Sequence, residues 1–410
     1  MEALRPRDAQ DVENAVRDAL TTGQPIEIIG HGTRRAIGHA CATNALLDLS
    51  ALNAVTSYEP QELVLTVQVG ASAQEIRALL AASHQEFAFE PMNTASLLGT
   101  PPKLGTIGGM IASGLAGPRR VKAGGVRDHL LGVHAVSGFG ESFKAGGRVV
   151  KNVTGYDLCK LVTGSWGTLA VLTEVTLKVM PKAETETTLV LVGLDDVRAG
   201  EAMVAALGSP FDVSGAAHLP KAVLRGSIDA LPGSSATTLI RLEGIAASVA
   251  HRVESLRREL LRFGAPDRLE GSASADVWEA VRDVTPFAAT GPLGQWPVWR
   301  IVCPPAAGAG LGQALASETG GEIIYDWGGG LIWLALPLSA DANAASLRAR
   351  VGAIGGHATL LRATDSLRVA VDVFHPQAPG TAALNRRIKL GFDPQDIFNR
   401  GRLSRGGATT

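Results

Sequence analysis

Three clusters of glycine, each beside a stretch that reads as a β-strand, constrain this chain more than any other feature of its sequence. They lie at residues 28–38, 105–114 and 164–171. Glycine makes up 48 of the 410 residues, against a usual share of about 7%. It takes positive φ without steric cost and lets backbone come close to a ligand. A tight turn accounts for any one such residue, but clustering at strand ends implies loops that wrap a bound group.

The first loop, Gly30-His31-Gly32-Thr33-Arg34-Arg35, follows the strand 26–29 directly. Converging N–H groups there suit a pyrophosphate, with Thr33 adding a hydroxyl and Arg34 a positive charge. The loop is not a Rossmann fingerprint, because Arg35 stands at the third glycine position and no helical period follows. The Walker A pattern is absent as well. In the second loop, Gly105-Thr106-Ile107-Gly108-Gly109-Met110-Ile111-Ala112-Ser113-Gly114, Thr106 can cap a short helix and the paired glycines leave room for a phosphate or a flat ring. Close helix packing would account for the same glycines. The third, Gly164-Ser165-Trp166-Gly167-Thr168-Leu169-Ala170-Val171, reads as a helix-to-strand turn able to offer backbone groups to a base edge.

Composition narrows the partners. The 38 basic and 39 acidic residues form no stripe suited to nucleic acid. No apolar run reaches the length of a membrane span, and the N-terminus does not read as a signal peptide. The chain is expected in the cytoplasm, with membrane association only through a complex. Cys41, Cys159 and Cys303 are too scattered for a disulfide framework, a zinc site or an iron–sulfur site, and read as buried small residues. No metal site is expected.

Hydrophobic periodicity predicts an α+β chain. Residues 1–181 hold the glycine loops and short mixed elements. Within 182–380 a β-α-β-β-α-β order runs from 187 to about 268 and recurs from 298 to 362, the pattern of a duplicated ferredoxin-like antiparallel cap. A helix near 382–390 lies within the closing segment 381–410 and leads into Phe392-Asp393-Pro394.

The run Lys151-Asn152-Val153-Thr154-Gly155-Tyr156-Asp157-Leu158, with Gly164–Leu169 and Leu172-Thr173-Glu174, resembles the vanillyl-alcohol oxidase (PCMH) type of FAD-binding domain. Gly114–Arg120, Val126-Arg127-Asp128, Tyr325–Gly329, Gly355–Thr359 and Phe398-Asn399-x-Gly401-Arg402 extend the likeness to the FAD-binding E-subunit family of bacterial glycolate oxidases. The resemblance covers roughly residues 10–405. It implies two α+β subdomains under an antiparallel cap, with FAD between them. Carried over position by position, it implies pyrophosphate on Gly30, His31, Gly32, Thr33 and Arg34. Adenine and ribose fall near Pro91, Ala170 and Val171, and Gly167 and Thr168 are also counted as cofactor-binding. The flavin side falls near Thr106, Ile107, Gly108, Gly109, Ser113 and Gly114, and Asn399 approaches the ring from the C-terminal segment. Arg400 stands where the family tail has proline.

Oxidising a 2-hydroxy acid needs a base, a cation for the carboxylate and a hydride acceptor. The two histidine motifs that supply metal and base in oxidising relatives do not occur here, and Trp166 stands where those relatives carry glutamate. No catalytic residue is assigned. Arg119, Arg120 and Arg127 could bind a carboxylate, contact a partner or face solvent. His31 sits two positions before the site where some relatives attach flavin, which aligns with Thr33, so noncovalent FAD is expected. The resemblance implies a subunit that works with a catalytic flavoprotein subunit and an iron–sulfur subunit. A freestanding D-lactate-type dehydrogenase and a scaffold whose flavin does not turn over are the alternatives.

Overall fold

The computed structural model describes residues 2–43, 45–148, 155–225 and 228–404. Lys151–Thr154 of the family-like run fall outside these described residues. The chain opens with the strand Glu2–Leu4 and the helix Ala9–Thr22, which Asp8 caps by accepting the Asp11 N–H and Gly23 ends at φ 64°. Val12, Ala15, Val16 and Ala19 recur at helical spacing and are its buried face.

Two larger sheets and the two-stranded pair of Gln85–Glu86 with Met180–Pro181 build the first lobe. Ile26–Ile29, Ala45–Asp48 and Glu2–Leu4 form a small parallel sheet. Five antiparallel strands run in the order Val55–Glu59, Val64–Gln68, Ala170–Lys178, Leu130–Ser137 and Ser142–Gly146. One apolar cluster joins them, and Phe398 from the far end of the chain is part of it.

The second lobe is one eight-stranded sheet. Its order is Asp267–Glu270, Thr185–Val192, Thr237–Gly244, Val213–Leu219, Glu322–Asp326, Leu331–Ala335, Val298–Val302, His357–Arg362. Each half shows ferredoxin-like pairing, and a bridge between His218 and Tyr325 makes the halves continuous. The α+β fold with its antiparallel duplicated sheet therefore matches the sequence reading. Strand alternation decides the two faces. Trp299 and Ile301 pack under the helices, whereas Val298 joins the opposite cluster with Ile37, Met92, Leu97 and Leu115 of the first lobe.

Three local readings need correction. The helix Gly271–Arg282 fills the stretch between the repeats, which the sequence reading left unassigned. A single helical turn, Ala95–Leu98, interrupts residues 90–105, where the lack of period and the prolines Pro91, Pro101 and Pro102 predict an irregular loop. Cys41 is only partly buried, while Cys159 and Cys303 are buried as expected.

Charges lock the lobes together. Arg241 of the sheet, 1% exposed, donates to both carboxylate oxygens of Glu90 at 2.8 Å. In the reverse direction Arg119 reaches Glu243 at 2.7 Å, and within its own lobe it pairs with Glu86 at 2.8 Å. Burial alone would raise the Glu90 carboxyl, but Arg241 and Arg119 outweigh it and hold the group at about 2.

Removing one member of a buried pair strands its partner, at a cost of about 3–5 kcal/mol. Glu90→Gln is expected to lose about that much in urea titrations. Glu59→Gln, whose exposed pair with Arg148 lies at 3.1 Å, should stay within about 1 kcal/mol of wild type. Because the folded carboxyl is depressed, its contribution is complete above the ordinary 4.5 and is lost as pH falls toward 2. The gap between wild type and Glu90→Gln should shrink over that window.

Candidate functional site

The parallel sheet ends at Ile29, and the chain then turns through Gly30–Arg35 over the start of the helix Ile107–Ser113. Thr106 caps that helix, its hydroxyl accepting the Gly109 N–H at 3.1 Å. His31 joins the two loops, with Nδ1 accepting the Gly105 N–H at 3.1 Å. Between them lie two adjoining open hollows of about 520 and 530 Å³. The glycine loops form the walls, and Asn399 and Trp166 line both hollows.

The walls are made for a close-fitting group. A Cβ on Gly30 would overlap the Thr106 hydroxyl and come within 2.7 Å of its methyl. Gly109 faces Arg34, whose Nη1 would lie 3.2 Å from an added Cβ. Gly108 serves packing instead, since a Cβ there would lie 2.9 Å from the Val69 side chain.

The donor set suits an anion. Among the described residues the backbone N–H groups of His31, Gly32, Thr33 and Arg34 have no hydrogen-bond partner. The buried Nε of Arg34 has none either, although its Nη2 reaches the Met92 carbonyl at 3.1 Å. Burial pushes this guanidinium down to about 10, with Asp283 opposing the shift. A buried, unsatisfied cationic donor among free amides fits a pyrophosphate.

The C-terminal segment closes the site. Asn399 takes φ 44° and donates its backbone N–H to the Ile26 carbonyl. Its side chain accepts the Ile28 N–H and donates to the Trp166 carbonyl, both at 2.7 Å. Arg402 binds the carbonyls of Arg35 and Ile37 at 2.9 Å and the Glu27 carboxylate at 2.7 Å. The tail thus holds both ends of the first loop.

Of the residues named from sequence, Gly30, His31, Gly32, Thr33, Arg34, Thr106, Gly108, Gly109, Ser113, Gly167, Ala170 and Asn399 line the hollows. Five others do not. Ile107 and Val171 are fully buried in the core. Pro91 bridges to Ala116, Gly114 ends the helix at φ 63°, and Thr168 bonds back to Ser165. Trp166, Ala112, Ser165, Leu49, Val69, Leu172 and Arg402 also line the hollows and were not assigned a binding role from sequence. Trp166 is held in the left-handed region at φ 54°, with its ring 5.6 Å from Phe374 of the second lobe.

This fold and cleft define an FAD-binding oxidoreductase. An FAD binding domain family matches residues 3–146. Glycolate oxidase subunit GlcE of Escherichia coli K12 is 31% identical over 400 residues, covering 96% of this chain and 97% of that protein. The chain belongs to the GlcE family of glycolate oxidase subunits. An uncharacterized FAD-linked oxidoreductase of Mycobacterium tuberculosis, Rv2280, is 27% identical over 97% of this chain and 90% of its own length. In fold the chain is similar to 4-ethylphenol oxidase from Gulosibacter chungangensis, with a TM-score of 0.72 at 14% identity, covering 99% of this chain and 89% of that one. It is also similar to p-cresol methylhydroxylase, with a TM-score of 0.71 at 15% identity over 98% and 88% of the two chains.

Gly30→Ala is expected to lower flavin retention on gel filtration by about tenfold or more in affinity, the effect of losing roughly 1.4 kcal/mol. Gly310→Ala, in a helix with open space around it, should retain flavin as the wild type does.

Proposed function

We propose that the chain is the FAD-binding subunit of a complex that oxidises glycolate to glyoxylate and delivers the electrons to an iron–sulfur subunit. The observation that carries this reading is the convergence of both early glycine loops, the Ser165–Ala170 turn and Asn399 on one cleft, in a chain collinear with GlcE. The relatives named glycolate oxidase subunit GlcE and GlcD support a multi-subunit assembly. The domain assignment that goes with it is an FAD-binding domain at 1–181, a cap at 182–380 and a closing segment at 381–410.

In this reading the free amides of residues 31–34 and the Arg34 guanidinium hold the pyrophosphate. Thr106 and Gly109 keep the helix start open beside it. Trp166 walls the cleft, and Asn399 fixes the Trp166 carbonyl. FAD, when bound, supplies the hydride acceptor. The protein's part is to orient that group, exclude water and keep His31 engaged with Gly105, an arrangement that supports noncovalent attachment. Among the described residues no helix is long and apolar enough to cross a membrane, which is compatible with a cytoplasmic subunit that meets a membrane only through its complex.

Anaerobic addition of glycolate or D-lactate to the purified flavin-loaded chain should leave the visible flavin band intact. With the partner chains present, glycolate should bleach it. Bleaching of the isolated chain would overturn the subunit reading in favour of a freestanding dehydrogenase. A flavin that stays oxidised while the reconstituted complex turns over would make it a scaffold. Acid precipitation should release the flavin into the supernatant, and yellow pellet would rule out noncovalent attachment.

A further inference from the structure

Adjacent arginines in the segment that leaves the cleft helix have opposite circumstances. Arg119 is surrounded by carboxylates. The side chain of Arg120, exposed on the next turn, makes no hydrogen bond or ion pair among the described residues and instead lies with its guanidinium carbon 4.5 Å from the centroid of the Trp327 ring. Arg300 comes to the same indole from the second lobe, at 5.1 Å, and its side chain is likewise without a hydrogen bond or ion pair among the described residues. Two cations converge on one ring from two lobes.

The platform between them is rigid. Trp327 is 5% exposed. Its backbone N–H donates to Asp326 Oδ1 at 2.7 Å, and its indole N–H donates to the Gly117 carbonyl of the first lobe at 3.0 Å.

Neither side chain has an ion pair among the described residues, although Asp326 favours the charged form of Arg300. Asp326 is the nearby acid, and burial foremost, with Glu90 adding to it, pushes its carboxyl up to about 7 against the Trp327 N–H, Arg241 and Arg300. Burial, and then Arg120, pushes the Arg300 guanidinium down to about 10. His357 begins the neighbouring strand opposite Val302, on the same sheet face as Arg300. Burial lowers its imidazole, followed by Arg300, His375 and Arg120. The region is a partly desolvated positive field at the seam of the lobes, and an anion is what it lacks.

We infer that Arg120 and Arg300, arrayed on the Trp327 indole, form a binding site for a small carboxylate. Planar guanidinium forks match a carboxylate in two parallel hydrogen bonds, and the buried indole holds both arginines at the seam. The place is connected to the flavin cleft: His375 accepts the Ala358 N–H next to His357, and its neighbour Phe374 packs on Trp166. The identity of the acid as a 2-hydroxy acid rests on the function proposed above; the carboxylate site itself does not.

Calorimetric titration of the flavin-loaded protein with oxalate tests it, with glycolate and inorganic phosphate as parallel arms at fixed ionic strength. Oxalate and glycolate should bind, and Arg300→Gln and Arg120→Gln should each weaken oxalate by about tenfold or more. Arg120 is exposed, so its variant folds independently of this role, and Arg120→Lys should recover only part of the affinity. Absence of oxalate binding, affinity indifferent to both glutamine variants, or phosphate binding as tightly as oxalate would overturn the assignment. Arginine-dependent oxalate binding in a protein whose complex never oxidises glycolate would leave this site standing and remove the proposed function. Glycolate oxidation by the complex, with oxalate affinity unchanged in both variants, would do the reverse.

Discussion

The crossed pairs Arg241–Glu90 and Arg119–Glu243 fix the position of the sheet lobe over the flavin lobe. Such buried pairs rarely exceed a well-packed apolar contact in net stability, because desolvation consumes most of the Coulombic gain. Their value is directional. Each arginine comes from a different lobe and each is met by a carboxylate from the other, so sliding one surface past the other breaks both pairs together. Glu90 is itself held at φ 45°, a conformation worth about 1–3 kcal/mol of strain outside glycine. It is tolerated because the Glu90 carboxylate also accepts the Arg119 N–H at 2.7 Å. Glu86 and Glu186 join the network with carboxyls raised by burial, which lessens the excess of negative charge over two guanidinium groups.

A second constraint acts from the end of the chain. Asp393 is fully buried and accepts the N–H groups of Ile397 and Phe398, while Lys389 bridges Asp393 to the Thr168 carbonyl at 2.5 and 2.8 Å. That turn delivers Phe398 to the core and Asn399 to the cleft. The first glycine loop is therefore held through residues more than 350 positions away.

Much of this was legible in the sequence because it rests on local rules. The repeated strand–helix rhythm of the second lobe follows from hydrophobic period, and the three glycine clusters announced the cleft. Residue roles inside the clusters were less legible. Gly108 and Gly109 are adjacent and identical in type, yet one packs against Val69 and the other faces Arg34, a difference set by helix phase. Ile107 and Val171 belong to a binding motif in linear order but turn into the core. The ion network could not be read at all, since Arg119 and Glu243 are 124 positions apart and exposed charge is the ordinary expectation for both types. Trp166 was noticed as a departure from its family; that it packs against Phe374 depends on docking of the lobes.

Docking and cofactor binding share residues, so they share free energy. Arg34 sits in the pyrophosphate loop, yet its hydrogen-bonded carbonyl is that of Met92, and the adjacent Asn93 N–H donates to Asp283 of the second lobe at 2.9 Å. Asp283 is also the charge that favours protonated Arg34, and Arg282 holds it at 2.6 Å. An anion that engages Arg34 acts on a chain of contacts ending in the second lobe. Any group that binds only the assembled cleft stabilises that assembly by an amount set by its concentration over Kd. The same reciprocity places Trp166 in both tasks: its carbonyl is bound by the C-terminal segment and its ring by the second lobe. Arg119 and Arg120 then divide the labour at the seam, the first holding the lobes in place and the second left with its charge uncompensated where they meet.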